Sequence, residues 1–193
     1  MVGMNCSFAI FDTALGACGL VWTARGIAGV QIHSGTESAT RAGLLRRFPG
    51  ARLAAPPPEV QRAIDGIVAL LRGERRDLSD VTIDTEDLPA FNRKVYDIAR
   101  TIPPGQTLTY GEIAERLGDK LLARDVGQAL GQNPIPLIVP CHRVLAANGK
   151  TGGFSAPGGV ASKLRLLTIE GAQPEGPMLF DYLPLSAKRR RRS

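Results

Sequence analysis

Apolar residues in the first thirty positions come in short blocks set off by glycine. Ser7-Phe8-Ala9-Ile10-Phe11 and Gly19-Leu20-Val21-Trp22 flank a turn region containing Gly16, and Gly26 interrupts the chain before Ile27 to Ile32. Such blocks predict a β-meander. The period then lengthens. Ala39 to Phe48 reads as a helix with Arg41, Arg46 and Arg47 on its wet face, and Ala54-Ala55-Pro56-Pro57-Pro58 punctuates the chain. Val60, Ile64, Ile67, Val68 and Leu71 recur at helical spacing up to a stop at Gly73. Val81-Thr82-Ile83 predicts a short strand. The polar stretch from Asp84 to Pro89 marks a boundary, so residues 1–86 are expected to form one α/β domain.

The second half is predicted to be helical. Pro89 suits a first helical turn, and Phe91, Val95, Ile98 and Ala99 line one face until Pro103-Pro104-Gly105 stops the helix. Thr109 can cap a second helix, with Glu112 completing a capping box, and Ile113, Ala114 and Leu117 lead to a stop at Gly118. A third helix spans about Leu121 to Leu130. Two short helices joined through a Gly-containing turn read as a helix-turn-helix, a pair that is often just a packing unit. Ile135 to Val139 predicts a short buried strand, Asn148-Gly149 a hairpin turn, and Val160 to Glu170 a last helix carrying Lys163, Leu164 and Leu167. Residues 87–175 are expected as a second domain, followed by a tail over 176–193.

The net charge is +6 over 193 residues, but Lys188 to Arg192 supply five of those charges. The folded body is therefore near neutral. The tail is expected to be a solvated end, and its other reading is a nonspecific phosphate tether. Three cysteines, Cys6, Cys18 and Cys141, make no disulfide framework and fit a reducing compartment. Leu15-Gly16-Ala17-Cys18 has the look of a lipoprotein cleavage site, but no Lys or Arg precedes Cys18 and Asp12 interrupts the apolar stretch. No run is long enough to span a membrane.

The candidate chemistry lies in Pro140-Cys141-His142-Arg143-Val144. A thiolate attacks carbon, and a neighbouring imidazole can generate it. A buried cysteine is otherwise a small core hydrophobe. Pro134, Pro136 and Pro140 remove backbone donors around this segment, which shapes it for more than a ladder. No Gly-rich phosphate loop or dinucleotide fingerprint occurs.

The blocks Ile102-Pro103-Pro104-Gly105, Thr109 to Ala114, Ala123 to Leu130, Asn133-Pro134 and Pro140 to Val144 stand in order, followed by Gly152-Gly153-Phe154-Ser155, Lys163, Leu166-Leu167 and Glu170. Together they resemble the O6-alkylguanine-DNA alkyltransferases, densely from about Phe91 to Gly171. The resemblance implies an RNase H-like α/β N-terminal domain and an all-α, winged helix-turn-helix-type C-terminal domain. It implies DNA repair by irreversible transfer of an alkyl group from O6-alkylguanine, and from O4-alkylthymine, to Cys141. The alkyl group comes from DNA, so no cofactor is implied, and the thioether product means one turnover per molecule. The implied partner is double-stranded DNA, bound through the minor groove with the lesion flipped out. A monomer is implied, in the cytoplasm or, in a eukaryote, the nucleus.

Residue by residue, the resemblance makes Cys141 the alkyl acceptor and has His142 take its proton through a bound water. Glu170 then supports the imidazolium in the manner of a triad's third member. A Glu at a helix C-terminus is electrostatically unfavourable, which favours a specific role over a surface acid. A Glu170→Gln change is accordingly expected to keep the fold while raising the apparent thiol pKa. Asn133 matches a hinge residue, although an Asn before Pro134 is also a turn former. Tyr110 matches a tyrosine that bonds the flipped guanine or its phosphate; a half-buried helix-start aromatic is the plain alternative. Arg124 matches an arginine that enters the base stack, a task that suits a planar guanidinium; a surface charge is its ordinary fate. Thr109, Ala123, Gly127 and Gln128 complete the expected DNA-binding set, with Gly127 small enough for close approach to a backbone. Phe154, Ser155, Leu130 and Val144 are expected to wall the base pocket.

Three positions depart from the family pattern. Asp125 stands where an apolar residue is common, and a carboxylate near phosphates is repulsive. Phe154 replaces a tyrosine, and Ala156-Pro157 reads as an insertion; both fall on the pocket loop and bear on which alkyl groups fit. Some relatives bind zinc in the N-terminal domain, but Cys6, Cys18 and His33 lack metal-site spacing, so no metal is expected. His33 reads as a strand-end surface residue. An alkyltransferase-like lesion-binding protein would share the fold without the acceptor, and Cys141 speaks against that. A Cys-His hydrolase or redox enzyme on another fold is a further rival. A fused methyl-sensing domain is not expected, with only six residues ahead of Ser7 in the sequence.

Overall fold

Three strands open the chain because short apolar blocks are separated by residues that turn easily. The computed structural model describes residues 6–172, apart from the side chain of Asn148. β1 (Ser7–Thr13), β2 (Gly16–Thr23) and β3 (Gly26–Gln31) form the predicted antiparallel meander. At the first turn Gly16 takes a φ of 107°, and the Thr13 hydroxyl donates to its carbonyl. β4 (Arg52–Leu53) adds in parallel beside β1, giving the order β3-β2-β1-β4. Its two exposed residues carry no hydrophobic pattern.

Helices cover both faces of the sheet. α1 (Glu37–Arg47), capped by Thr36, packs Leu44 against Phe8, Val21 and Ala28. α2 (Pro58–Leu71) starts on its proline and joins Val60, Ile64 and Ile67 to the core that holds Ala9, Leu20 and Trp22. Coverage on both faces explains why β2 is buried from Ala17 to Trp22. The strand expected at Val81 to Ile83 is reduced to one bridge, Ile27 to Ile83. Beyond it Asp84 turns the chain by accepting from Thr23 Oγ1 and Arg25 Nε.

In the second half α3 (Ala90–Arg100) buries Val95 and Ala99 as expected. It also buries Tyr96, whose hydroxyl donates to the Ala129 carbonyl at 2.9 Å. β5 (Leu108–Thr109) leads into α4 (Tyr110–Arg116), with the predicted capping box formed in both directions. A 3₁₀ turn at Lys120–Leu122 precedes α5 (Ala123–Gly131). β6 (Val144–Leu145) and α6 (Gly159–Ile169) follow.

Three expectations are corrected here. The second half is mostly helical but not all-α, because β5 and β6 pair in parallel. Two-residue strands carry too few positions for a period to show. The Asn148-Gly149 turn is no hairpin: Ala146 N–H donates to the Lys150 carbonyl across it, but the partner of β6 is β5. Ile135 to Val139 is not a strand. Asn133 staples this segment into tight turns, its Nδ2 donating to the Val139 carbonyl and its Oδ1 accepting from Ile135 N–H, both at 2.9 Å. Leu137 takes φ 75°, the one non-glycine positive φ among the described residues. That costs roughly 1–2 kcal/mol, and the local hydrogen bonds hold it. The C-terminal tail, with Lys188 to Arg192, lies outside the described residues. Among them no helix is long and apolar enough to cross a membrane.

Candidate active site

Out of the stapled turns the chain enters a 3₁₀ turn over Cys141–Arg143. This places three consecutive side chains in the interior: Cys141 is 8 % exposed, His142 0 % and Arg143 2 %. A cationic side chain is rarely found at that depth unless paired, and the pairing is supplied by α6. Its C-cap is Glu170, also buried. Glu170 Oε1 lies 2.9 Å from His142 Nε2, and Arg143 forks onto the same carboxylate through Nε to Oε2 and Nη2 to Oε1, each 2.8 Å. The remaining arm, Nη1, donates to the Ile102 carbonyl at 2.6 Å.

The charges follow from this geometry. Burial pushes the Glu170 carboxyl up, but hydrogen bonds from His142 and Arg143 outweigh it and hold it at about 2. Glu170 is therefore ionised near neutrality and can only accept. His142 must donate from Nε2, which leaves Nδ1 as the basic nitrogen. Nδ1 is buried and has no protein partner among the described residues. Burial lowers the His142 pKa, opposed by Glu170, so the ring rests neutral.

The thiol rests protonated. Burial pushes the Cys141 pKa up, and the Asn133 side chain and the nearby Lys163 cation pull the other way. Lys163 is itself fully buried and donates to the Val144 carbonyl at 2.6 Å and to Gly153 at 3.4 Å. Burial draws its pKa down to about 8 against the opposing pull of Cys141. Its ammonium sits 5.7 Å from the centre of the Tyr110 ring. Gly152, at φ 67°, packs against that ring so closely that a Cβ there would lie 3.1 Å from it.

Two cavities of about 480 Å³ meet at Cys141. One is walled by Tyr110, Gly127, Leu130, Phe154 and Ser155. The other lies toward the N-terminal half, between α1 and the Phe154 to Pro157 loop.

A family model for the 6-O-methylguanine DNA methyltransferase DNA-binding domain matches residues 90–172. The methylated-DNA–protein-cysteine methyltransferase of Methanothermobacter thermautotrophicus is 39 % identical over 63 % of this chain and 67 % of its own length. That of Mycobacterium bovis is 41 % identical over 65 % of this chain and 74 % of its own. The chain belongs to the methylated-DNA–protein-cysteine methyltransferase family. The fold agrees: a crystal structure of Mycobacterium tuberculosis OGT in complex with DNA superposes with a TM-score of 0.68 and 31 % identity, covering 86 % of this chain and 92 % of that one.

His142 and Glu170 are bonded to each other, Asn133 staples the segment that leads into Cys141, and Tyr110 lines the cavity that reaches Cys141. Leu130, Phe154 and Ser155 line the same cavity. Val144 is fully buried and lines neither cavity; only its carbonyl faces the cluster, through Lys163. Thr109 is occupied by its capping box, and Ala123 packs partly into the core. Gly127 lies on the cavity wall beside Tyr110. Arg124 and Gln128 are exposed on α5, one turn apart on the same side. Asp125 is exposed in the first turn of α5, where the helix dipole favours an acid. In the N-terminal half Cys18 is bonded to Thr13, and half-buried His33 lies 3.3 Å from the Ala17 carbonyl. Among the described residues no group of three His, Cys, Asp or Glu could hold a metal.

Arg143 was given no role by its position in the motif. The signal was there: an Arg inside an apolar block beside a buried acid implies a pair, but the acid lies 27 residues away. Lys163 is the same case, a lysine on a helix face that otherwise reads as apolar.

Proposed function

We propose that the protein repairs DNA by taking alkyl groups from O6-alkylguanine, and from O4-alkylthymine, onto Cys141. One observation carries this most: a buried thiol at the junction of two cavities, next to a neutral imidazole whose tautomer is fixed by an ionised carboxylate. The lesion base, flipped out of the duplex, occupies the cavity beneath Tyr110 and Phe154. Cys141 Sγ attacks the alkyl carbon while its proton passes, through a bound water, to His142 Nδ1. The carbon–O6 bond breaks and its electron pair stays on guanine, which regains a proton. Tyr110 is placed to donate a hydrogen bond to the base as that charge develops. Glu170 carries the imidazolium, and Arg143 fixes the carboxylate. Lys163 supplies a positive charge for the thiolate. Asn133 positions the segment that delivers Cys141.

Arg124 acts from α5, which enters the minor groove. It stands one turn before Gly127, and Gly127 and Gly131 line the cavity, so the helix stripe leads from Arg124 to the mouth. Thr109, Ala123 and Gln128 belong to the same face. Residues 87–175 form the DNA-binding and acceptor domain, with α4 and α5 as a winged helix-turn-helix and β5–β6 beside it. Residues 1–86 form an RNase H-like unit, supported by three antiparallel strands and one parallel. The protein acts as a monomer, in the cytoplasm or nucleus.

Stoichiometry tests the function. With excess duplex carrying O6-methylguanine, lesion loss is expected to stop at one equivalent per chain. Continued turnover would point to a hydrolase, and binding without loss to a lesion-recognition protein. Arg124→Ala is expected to slow repair in duplex by roughly tenfold or more while leaving reaction with free O6-benzylguanine within about twofold, because a free base needs no extrusion. Equal losses on both substrates would make Arg124 a structural residue.

A further inference from the structure

With the base placed in the cavity beneath Tyr110 and Phe154, the cavity on the N-terminal side of Cys141 is left without an occupant. It shares Gly131, Cys141, Phe154 and Ser155 with the base cavity, but its far wall comes from α1 and β3 and carries Arg46 and Arg47. We infer that this second cavity receives the substituent of the lesion and selects substituents that end in an anionic group. The inference rests on the transfer reading above and names the substrate class for that site.

In-line displacement sets the direction. Sulfur, the attacked carbon and O6 must be roughly collinear, so the remainder of the substituent projects sideways from that line. A methyl group has no remainder. A longer chain must leave along the wall at Cys141, where one opening is filled by the base and the other is this cavity. Its volume of about 480 Å³ accommodates a chain of several carbons. The Ala156-Pro157 insertion forms part of its rim and is fixed, since Ser162 Oγ donates to the Pro157 carbonyl at 2.7 Å.

The charge of the far wall sets the preference. Arg47 donates Nη1 to the Val30 carbonyl and to Gln31 Oε1, and Nη2 to the Pro134 carbonyl at 2.7 Å. All these acceptors are neutral, so its charge is held in place without being cancelled. Its guanidinium still reaches solvent, while the part packed against β3 and the hinge lowers its pKa. Arg46, on the preceding position of α1, is exposed. Neither guanidinium has a carboxylate within ion-pair distance among the described residues. Two uncompensated cations on the wall of a cleft raise the local concentration of anions and attract a carboxylate terminus. Arg47 also ties α1 to the Asn133-Pro134 hinge, so Arg46 is the residue to vary.

The test uses three duplex oligonucleotides carrying O6-methyl-, O6-butyl- or O6-carboxypropylguanine. Butyl and carboxypropyl have nearly equal intrinsic reactivity at the attacked carbon, so their rate ratio reports the far wall. Wild type is expected to transfer carboxypropyl about fivefold faster than butyl, the upper end for a partly exposed charge pair. Arg46→Glu is expected to abolish or reverse that ratio while the methyl rate changes equally with the butyl rate. Arg46→Lys is expected to keep it within about twofold. A ratio of one in wild type, or a ratio unchanged in Arg46→Glu, overturns the inference. A uniform loss on all three substrates with the ratio kept is a DNA-binding effect and overturns it too. Absence of methyl transfer by wild type sinks the transfer reading itself, and methyl transfer with a ratio of one sinks this inference alone.

Discussion

Cys141→Ser is expected to bind duplex DNA within about twofold of wild type and to slow alkyl transfer by about 10³-fold or more. In the proposed mechanism the acceptor is a thiol that burial keeps protonated until His142 takes its proton. A serine hydroxyl in the same surroundings ionises far less readily, and its oxygen is a harder nucleophile toward an alkyl carbon. Phosphate contacts dominate duplex affinity, and Cys141 is not expected to make one. The checks are a transfer assay and a binding isotherm on one preparation. Alkyl uptake by Cys141→Ser would remove Cys141 from the role of acceptor.

Glu170→Gln is expected to cost both stability and rate, which revises the expectation that the fold would be indifferent. An amide cannot accept both arms of the Arg143 fork, so a cation with 2 % exposure loses its counter-charge. Breaking a buried pair from one side costs about 3–5 kcal/mol, readable as a lower urea midpoint. The native carboxylate shows the same coupling through pH. Its pKa is depressed from 4.5 to about 2, so it contributes about 3 kcal/mol that is fully present above pH 4.5 and lost as pH falls toward 2. Glu170→Gln should lose that acid-dependent component. At matched folding, transfer near neutrality is expected to fall on the order of 10²-fold, with the pH midpoint of the rate moved upward. A merely structural Glu170 would lower stability and leave that midpoint in place.

Much of the fold could be read from the pattern of residues. The meander, α1, α2 and the capping box at Thr109 follow from local rules that burial did not override. The segment Ile135 to Val139 was misread because an apolar run looks alike as a strand or as a buried turn. What decides is Asn133, whose side chain takes the backbone groups a ladder would need. β4, β5 and β6 were invisible at two residues each. In the site, the sequence motif holds the thiol and imidazole side by side, and α6 carries Glu170 to within 2.9 Å of His142, 28 residues away in the chain. The motif did not assign the buried cations a task, because Arg143 and Lys163 are defined by partners distant in sequence. The second cavity could not be foreseen either, since its wall joins α1 to a loop more than a hundred residues later.

The most direct measurement is intact mass spectrometry with peptide mapping after incubation with a duplex carrying O6-methylguanine. Transfer to Cys141 predicts that each chain gains the mass of one CH₂ unit, all of it on the peptide containing Cys141, with guanine restored in the DNA in equal amount. An unmodified chain after lesion loss, or an adduct on Cys6 or Cys18, would contradict it.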